Sequence, residues 1–242
     1  MLTRCRVHHS RRADGAPRDP SPPPCGRRVV PRPAWLVDAE RVDRAIYAAI
    51  AATDTPSLDR AMARLTRAAD HSKLSLAAAA VLSVTRGAKG RRAAFEGLAS
   101  VAVTSAVANL VIKPLGRRRR PDPAADDVPL ARQVRMPTTT SFPSGHSAAA
   151  FAFATGVGNV LPRDAVPLRA LAATVAYSRV HTGVHYPGDA IAGSLLGGAI
   201  AQITSGALER RLGRHQPAAR VRMSPIRRPR ASSVRAPRAR SR

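Results

Sequence analysis

Hydrophobic residues are spaced in two different ways along this chain. Between residues 35 and 69, Leu36, Val42, Ile46 and Ile50 recur among Asp38, Glu40, Arg41, Asp43 and Arg44. Asp54-Thr55-Pro56-Ser57 then opens a second stretch of the same kind. This pattern predicts two amphipathic helices, either an interfacial hairpin or part of a soluble helical domain. Farther on the apolar runs are nearly unbroken, at residues 74–85, 93–112, 146–161, 166–177 and 190–208, with Glu96 and Arg169 as interruptions. The run 93–112 is long enough to cross a bilayer, whereas 74–85 is short for that. All are rich in Ala, Gly and Ser, small residues that let helices approach closely in a membrane.

The expected fold class is therefore all-α, a membrane-embedded helical bundle. Ala-rich helices also build soluble bundle cores, which leaves a soluble bundle as the alternative. Predicted boundaries are a disordered basic Pro-rich tail at 1–33, a helical domain at 34–208 (amphipathic over 34–72, apolar over 73–208), and an Arg-rich tail at 209–242.

Charge sharpens the tails. The 242 residues carry 40 Lys+Arg against 15 Asp+Glu, a net charge of +25. Both ends are basic and poor in apolar residues, so neither can offset its ordering entropy by burial. They hold no aromatic residue on which a base could stack, so a membrane surface with anionic headgroups is a better partner than nucleic acid. Cys5 and Cys25 lie in the first tail near His8 and His9 and read as unpaired thiols. No apolar core of a signal peptide stands in residues 1–33.

If successive runs are antiparallel, one end of the bundle collects most of the reactive residues. Lys113 ends one run, where Pro114 and Gly116 stop the helix; Ser144 and Gly145 open the next; Arg179 closes another; and Asp189 N-caps the last. The opposite end holds a basic loop at 86–92, the link 162–165 and the basic C-terminal tail. Basic loops stay in the cytoplasm, so the expected topology is multi-pass in the plasma membrane, with an extracytoplasmic reactive face and a cytoplasmic C-terminus.

Three clusters occupy that face. They are Lys113 to Arg120-Pro121 across six residues, then Pro143-Ser144-Gly145-His146, then Ser178-Arg179, five residues, His185, three residues and Asp189. This supplies fixed cations, two histidines, a carboxylate beside one of them and a glycine turn at a helix start. The set suits attack of an imidazole on phosphorus, with the phosphoryl oxygens neutralised and the leaving group protonated. The Pro-Gly turn between His185 and Asp189 brings the carboxylate back to the ring, where it can hold one nitrogen protonated. His146 is expected to have no such carboxylate partner. The connection 122–141 is long for a bundle and is a candidate lid or substrate rim. Asp122, Asp126 and Asp127 are too sparse for a two-metal site, so neither metal nor cofactor is expected.

These three motifs, complete and in order over residues 70–208, resemble the PAP2 (type 2 phosphatidic acid phosphatase) superfamily. The resemblance implies a phosphatase of a lipid phosphate or diphosphate, such as a polyprenyl diphosphate or a phosphatidic acid-like lipid. It makes His185 the nucleophile of a phosphohistidine intermediate, His146 the general acid, and Asp189 the partner of His185. Lys113, Arg120, Ser144, Gly145 and Arg179 would bind the phosphoryl oxygens. Arg117, Arg118 and Arg119 match no defining position and are expected to face solvent or headgroups, so that replacing Arg118 does little. His181 is expected to be a structural loop histidine, and His71 with Asp70 precedes the first apolar run, where it can lie near the reactive face, with no assigned role. Rival readings are a soluble acid phosphatase or haloperoxidase of the same superfamily, or a basic membrane-binding protein with a dead site.

Overall fold

A computed structural model describes residues 33–115, 118–124 and 128–211. The expected tails lie almost wholly outside these residues, as do Cys5, Cys25, Gly116, Arg117, Asp126 and Asp127. The chain divides inside its first helix, α1 (Ala34–Ala51), into units 1–41 and 42–242. In the first unit, Arg41 Nη1 donates to Asp38 Oδ1 at 3.0 Å, one helical turn away.

The second unit starts with the remainder of α1, which buries Asp43, Tyr47 and Ala51. Next come α2 (Pro56–Ala68), a 3-10 turn (Asp70–Ser72), α3 (Lys73–Thr85) and α4 (Gly87–Ala106). Pro56 starts α2 at a position where the missing N–H costs nothing. In α2 the buried positions are Asp59, Met62, Ala63 and Thr66, one face at helical spacing that packs on α7. Within the 3-10 turn, His71 (φ 55°) and Ser72 (φ 58°) are both left-handed, a conformation costing about 1–3 kcal/mol for each non-glycine residue.

The basic stretch 86–92, expected as a loop, instead begins a helix. Gly87 turns the chain at φ +56°, and α4 starts there. A Cβ on Gly90 would lie 1.9 Å from Leu82 O, so α3 and α4 form a hairpin too tight for a loop. Helical structure then continues past α4 through a π segment (Val107–Ile112) into a final turn, α5 (Lys113–Leu115). Pro114 therefore lies in the last turn rather than stopping the helix before it.

The apolar runs 146–161, 166–177 and 190–208 become α6 (Gly145–Gly158), α7 (Ala165–His181) and α8 (Pro187–Arg211). The last helix passes the expected boundary at residue 208 and ends at Arg211. No strand occurs among the described residues, so the fold is all-helical as expected. Helix α6 is central and packs on α4, α7 and α8. Glycines allow this closeness: a Cβ on Gly97 would meet the Phe153 ring at 2.8 Å, and one on Gly197 would meet Ala148 O at 2.0 Å.

Beside the apolar core, several polar side chains are buried while large apolar ones face outward. Glu96, Ser100, Thr104 and Ser147 are buried, while Phe95, Leu110, Leu195 and Ile203 are exposed. Two helical stretches, Gly87–Leu115 and Pro187–Arg211, are long and apolar enough to cross a membrane.

Candidate active site

The helix ends meet as the run boundaries predict. Ser144 caps α6: its Oγ accepts from the Ser147 N–H at 3.4 Å and from the Ser147 hydroxyl at 2.9 Å. It is fully buried, so its hydroxyl serves the helix start and not, in this conformation, an anion. Gly145, next along, faces Lys113: a Cβ there would lie 3.6 Å from Lys113 Nζ, an ordinary contact distance. Helices α6 and α8 are fastened where Ser144 N donates to the Asp189 backbone carbonyl at 2.9 Å. A Cβ on Gly193 would meet Ser144 O at 2.4 Å, so glycine sets this approach.

His185 precedes α8 and is 2% exposed. Arg120 Nη1 lies 3.1 Å from its Nε2. Arginine can only donate, so Nε2 carries the lone pair and the ring proton is on Nδ1. Nδ1 faces Ser141 Oγ at 3.4 Å and Asp189 Oδ2 at 3.6 Å. Ser141 in turn donates to Asp189 Oδ2 at 2.5 Å, so the hydroxyl bridges the pair. Burial is the main cause that pushes the His185 pKa down to about 4. The Asp189 carboxylate opposes that shift, and the charges of Arg120 and Arg179 add to it. The imidazole is thus neutral near pH 7, with Nε2 ready to act as a base or nucleophile.

Asp189 is not the N-cap of α8 but the third residue of its first turn, where Oδ2 also accepts from Tyr186 N at 3.0 Å. Its other oxygen accepts from Arg118 Nη1 at 2.8 Å. The expectation that Arg118 faces solvent is corrected here. Its other arm donates to Asp43 Oδ2 at 2.5 Å, and its guanidinium stacks 4.4 Å from the Tyr186 ring centroid. Burial alone would lower the Arg118 pKa, but Asp189 and Asp43 hold it above the ordinary value. Asp43 also accepts from Gly188 N at 2.6 Å. An acid from α1, an arginine and the Asp189 carboxylate thus form one chain behind His185.

Arg120 is held by the connection 122–141, donating to Thr139 O at 2.8 Å and Thr140 O at 3.2 Å, and by the link between α7 and α8, donating to Val184 O at 3.0 Å. Arg179, in the last turn of α7, donates to Thr66 Oγ1 at 2.5 Å. Its buried Nε has no hydrogen-bond partner among the described residues, a donor left for an incoming acceptor.

His146 does have a carboxylate partner, contrary to the sequence reading: its Nε2 lies 2.9 Å from Asp70 Oδ1. The charges of Arg179 and Lys113 also act on this ring. His181 is structural as expected, though it ends a helix instead of lying in a loop. Its Nε2 is 2.9 Å from Asp59 Oδ1 and its Nδ1 is 3.3 Å from the Tyr177 hydroxyl. Arg132, fully buried, donates to the same Asp59 oxygen at 2.7 Å and to the carbonyls of Ile50 and Thr53. That anchor ties the connection at Arg132 to the α1–α2 corner. Among the described residues, no three His, Cys, Asp or Glu side chains converge on a metal position.

All eight predicted site residues thus lie at one end of the bundle. Asp70, Asp43, Arg118 and Ser141 are the additions that sequence reasoning did not supply. For Ser141 a signal existed, since it stands two residues before the second motif. For the others no local pattern marks them.

Comparison with known proteins fits this geometry. The family model for the PAP2 superfamily matches residues 93–212. The chain is 40% identical over 108 residues, 42% of this chain and 55% of the relative, to the decaprenylphosphoryl-5-phosphoribose phosphatase of Mycobacterium tuberculosis. It is 34% identical over 111 residues, 44% of this chain and 46% of the relative, to the lipid A 1-phosphatase of Rhizobium etli. The chain spans about half the length of these two relatives. A transmembrane PAP2 type phosphatidylglycerolphosphate phosphatase from Bacillus subtilis superposes with a TM-score of 0.53 at 25% identity, covering 72% of this chain and 87% of that one. LpxE of Aquifex aeolicus superposes with a TM-score of 0.53 at 23% identity, over 67% and 94% of the two chains, a likeness of fold.

Proposed function

Since the chain belongs to the PAP2 superfamily, we propose that it is a membrane-embedded phosphatase that hydrolyses a lipid phosphate or diphosphate through a phosphohistidine on His185. The observation that carries this reading is the His185 ring itself. Its Nε2 lone pair faces the Arg120 guanidinium, and its proton sits toward Ser141 and Asp189.

In the first step Nε2 of His185 attacks phosphorus, the phosphorus–oxygen bond to the lipid breaks, and His146 gives a proton to the departing oxygen. In the second step a water attacks the phosphohistidine while His146 recovers a proton from it, and inorganic phosphate leaves. Lys113, Arg120 and Arg179, with the Gly145 amide at the α6 N-terminus, neutralise the phosphoryl oxygens as charge builds on them. Arg120 turns from the ring nitrogen to the phosphate when substrate binds. Asp189 keeps its proton relation with Nδ1 and supports the charge that the ring gains.

Outward apolar side chains such as Leu110 and Leu195 support embedding in lipid. The named activities of the two relatives support a phosphorylated lipid as substrate. Basic residues Lys89, Arg91 and Arg92 stand at the end of the bundle away from the site, which supports an extracytoplasmic active face. A cysteine replacing Thr139 then reacts with a membrane-impermeant thiol reagent on intact cells, and labelling only after lysis would reverse the topology.

The direct test is phosphate release by the purified full chain in detergent, from a panel of lipid monophosphates and diphosphates with EDTA present. Release that vanadate inhibits is expected. No release from any member, or release that needs an added divalent ion, would overturn the proposal.

A further inference from the structure

Resting on that reading, we propose that Asp70 is a positioning residue for His146, and that it matches the site to phosphate esters whose leaving group is a basic alcohol. The contact is direct, Asp70 Oδ1 to His146 Nε2 at 2.9 Å. With Nε2 engaged, Nδ1 is the nitrogen left to deliver a proton. The two site histidines are therefore mirror images: His185 faces its carboxylate with Nδ1 and works with Nε2, and His146 does the reverse.

The backbone is arranged for this contact. Asp70 stands where α2 would otherwise continue into α3, and the next two residues, His71 and Ser72, are both left-handed. Neither is a glycine, and no side-chain cap compensates for them at the start of α3. That break sets the turn against α6, which carries His146 on its first turn. Strained non-glycine backbone held in place beside reacting groups is a mark of functional positioning. The same segment reaches the site a second time through Thr66, which holds Arg179 at 2.5 Å.

Chemistry gives the contact its purpose. Burial, and after it the positive charges of Arg179 and Lys113, disfavour a charged imidazole on His146, and Asp70 opposes them. A general acid has to carry its proton until the leaving oxygen takes it, and a carboxylate on the far nitrogen offsets those cations. This assistance matters most when the departing oxygen is an alkoxide. It matters less when inorganic phosphate leaves a diphosphate, and least when p-nitrophenolate leaves. A site that maintains a carboxylate behind its acid is thus suited to the phosphomonoester of an alcohol more than to a diphosphate.

The experiment compares wild type and Asp70→Asn on a short-chain phosphatidic acid and on p-nitrophenyl phosphate, both in detergent. On the lipid ester kcat should fall about 10- to 100-fold, a part of the whole contribution of a general acid, with KM little changed. On p-nitrophenyl phosphate the loss should be at least about tenfold smaller. Asp70→Glu, which keeps the carboxylate, should recover part of the lipid-ester activity. Equal losses on the two substrates, or no loss on either, would overturn the proposal. Asp70→Ser serves the same comparison if the Asn variant does not fold. Absence of any wild-type turnover would instead remove the phosphatase reading, so the two failures are distinct.

Discussion

The two histidine–carboxylate pairs at the head of this bundle are built in opposite ways. His185 and Asp189 are four residues apart and both are buried, and four groups hold the carboxylate: Ser141, the Tyr186 amide, Arg118 and, through Arg118, Asp43. His146 and Asp70 are 76 residues apart, and the Asp70 side chain is 42% exposed with no other hydrogen bond described. A nucleophile that has to meet phosphorus along one line benefits from being held on every side. A proton donor has to change its charge in each turnover, and a partner open to water can follow that change. Under the proposed mechanism, the difference teaches that rigidity is concentrated where direction matters and relaxed where charge has to move.

The largest expected effect breaks the comparison at its centre. His185→Ala should abolish both turnover and any acid-labile phosphoenzyme trapped by rapid quench. His146→Ala should still form label from p-nitrophenyl phosphate, while losing about two to four orders of magnitude on lipid esters. Label surviving in His185→Ala would assign the nucleophile elsewhere.

Smaller effects come from the cations. Arg179→Ala and Arg120→Ala remove the proposed donors to the phosphoryl oxygens and should cost about 100-fold or more in kcat. Arg118→Ala should cost about 10- to 100-fold by loosening Asp189, with Arg118→Lys recovering part of the loss. An Arg118→Ala enzyme as active as wild type would show that Ser141 and Tyr186 hold the carboxylate unaided. Circular dichroism of each variant separates a loosened site from a lost fold.

The subtlest expectation concerns acid. The folded-state pKa of His185 is depressed to about 4, so the proposed nucleophile stays neutral well below the ordinary histidine range. The acidic limb of kcat/KM should accordingly fall near pH 4. Arg120→Ala, which removes a nearby positive charge, should move that limb upward. Asp189→Asn, which removes the opposing carboxylate, should move it downward. The sign for stability follows as well. Above about pH 6.5 the ring is neutral folded or unfolded and contributes nothing. Between there and about pH 4 only the unfolded chain takes up the proton, so stability declines as pH falls. A limb that stays near pH 6.5 in wild type would contradict the burial argument.

The sequence made the helices legible wherever apolar runs were unbroken, because a run bounded by charges leaves little choice of period. Lys113, Arg120, His146, Arg179, His185 and Asp189 were legible because short spacings and helix ends bring them to one face. Asp43 and Asp70 were not, since each sits on a stretch whose period calls for polar residues anyway, and an acid with a partner there looks the same as a solvated one. Arg118 was hidden inside a run of four arginines, where no spacing selects one from the next. Arg132 shows the same limit: a charge in a long connection has no period, and only its partner 73 residues away, Asp59, explains its burial. The basic stretch 86–92 was mistaken for a loop because charge suggests exposure, yet a single left-handed glycine was enough to turn the chain.

The contact of α8 with α6 through Gly193 and Gly197 has a bearing on how the site responds to its medium. Asp189 and the α6 N-terminus are registered there by backbone meeting backbone where side chains are missing. Counterions cannot screen such a contact, and detergent has no apolar side chain there to replace. Arg118 and Asp43, by contrast, meet as ions with some access to solvent, and salt weakens them. Raising ionic strength should therefore loosen the orientation of the Asp189 carboxylate while leaving the placement of its backbone unchanged, so that one residue is tunable by salt at its tip and insensitive to it at its root.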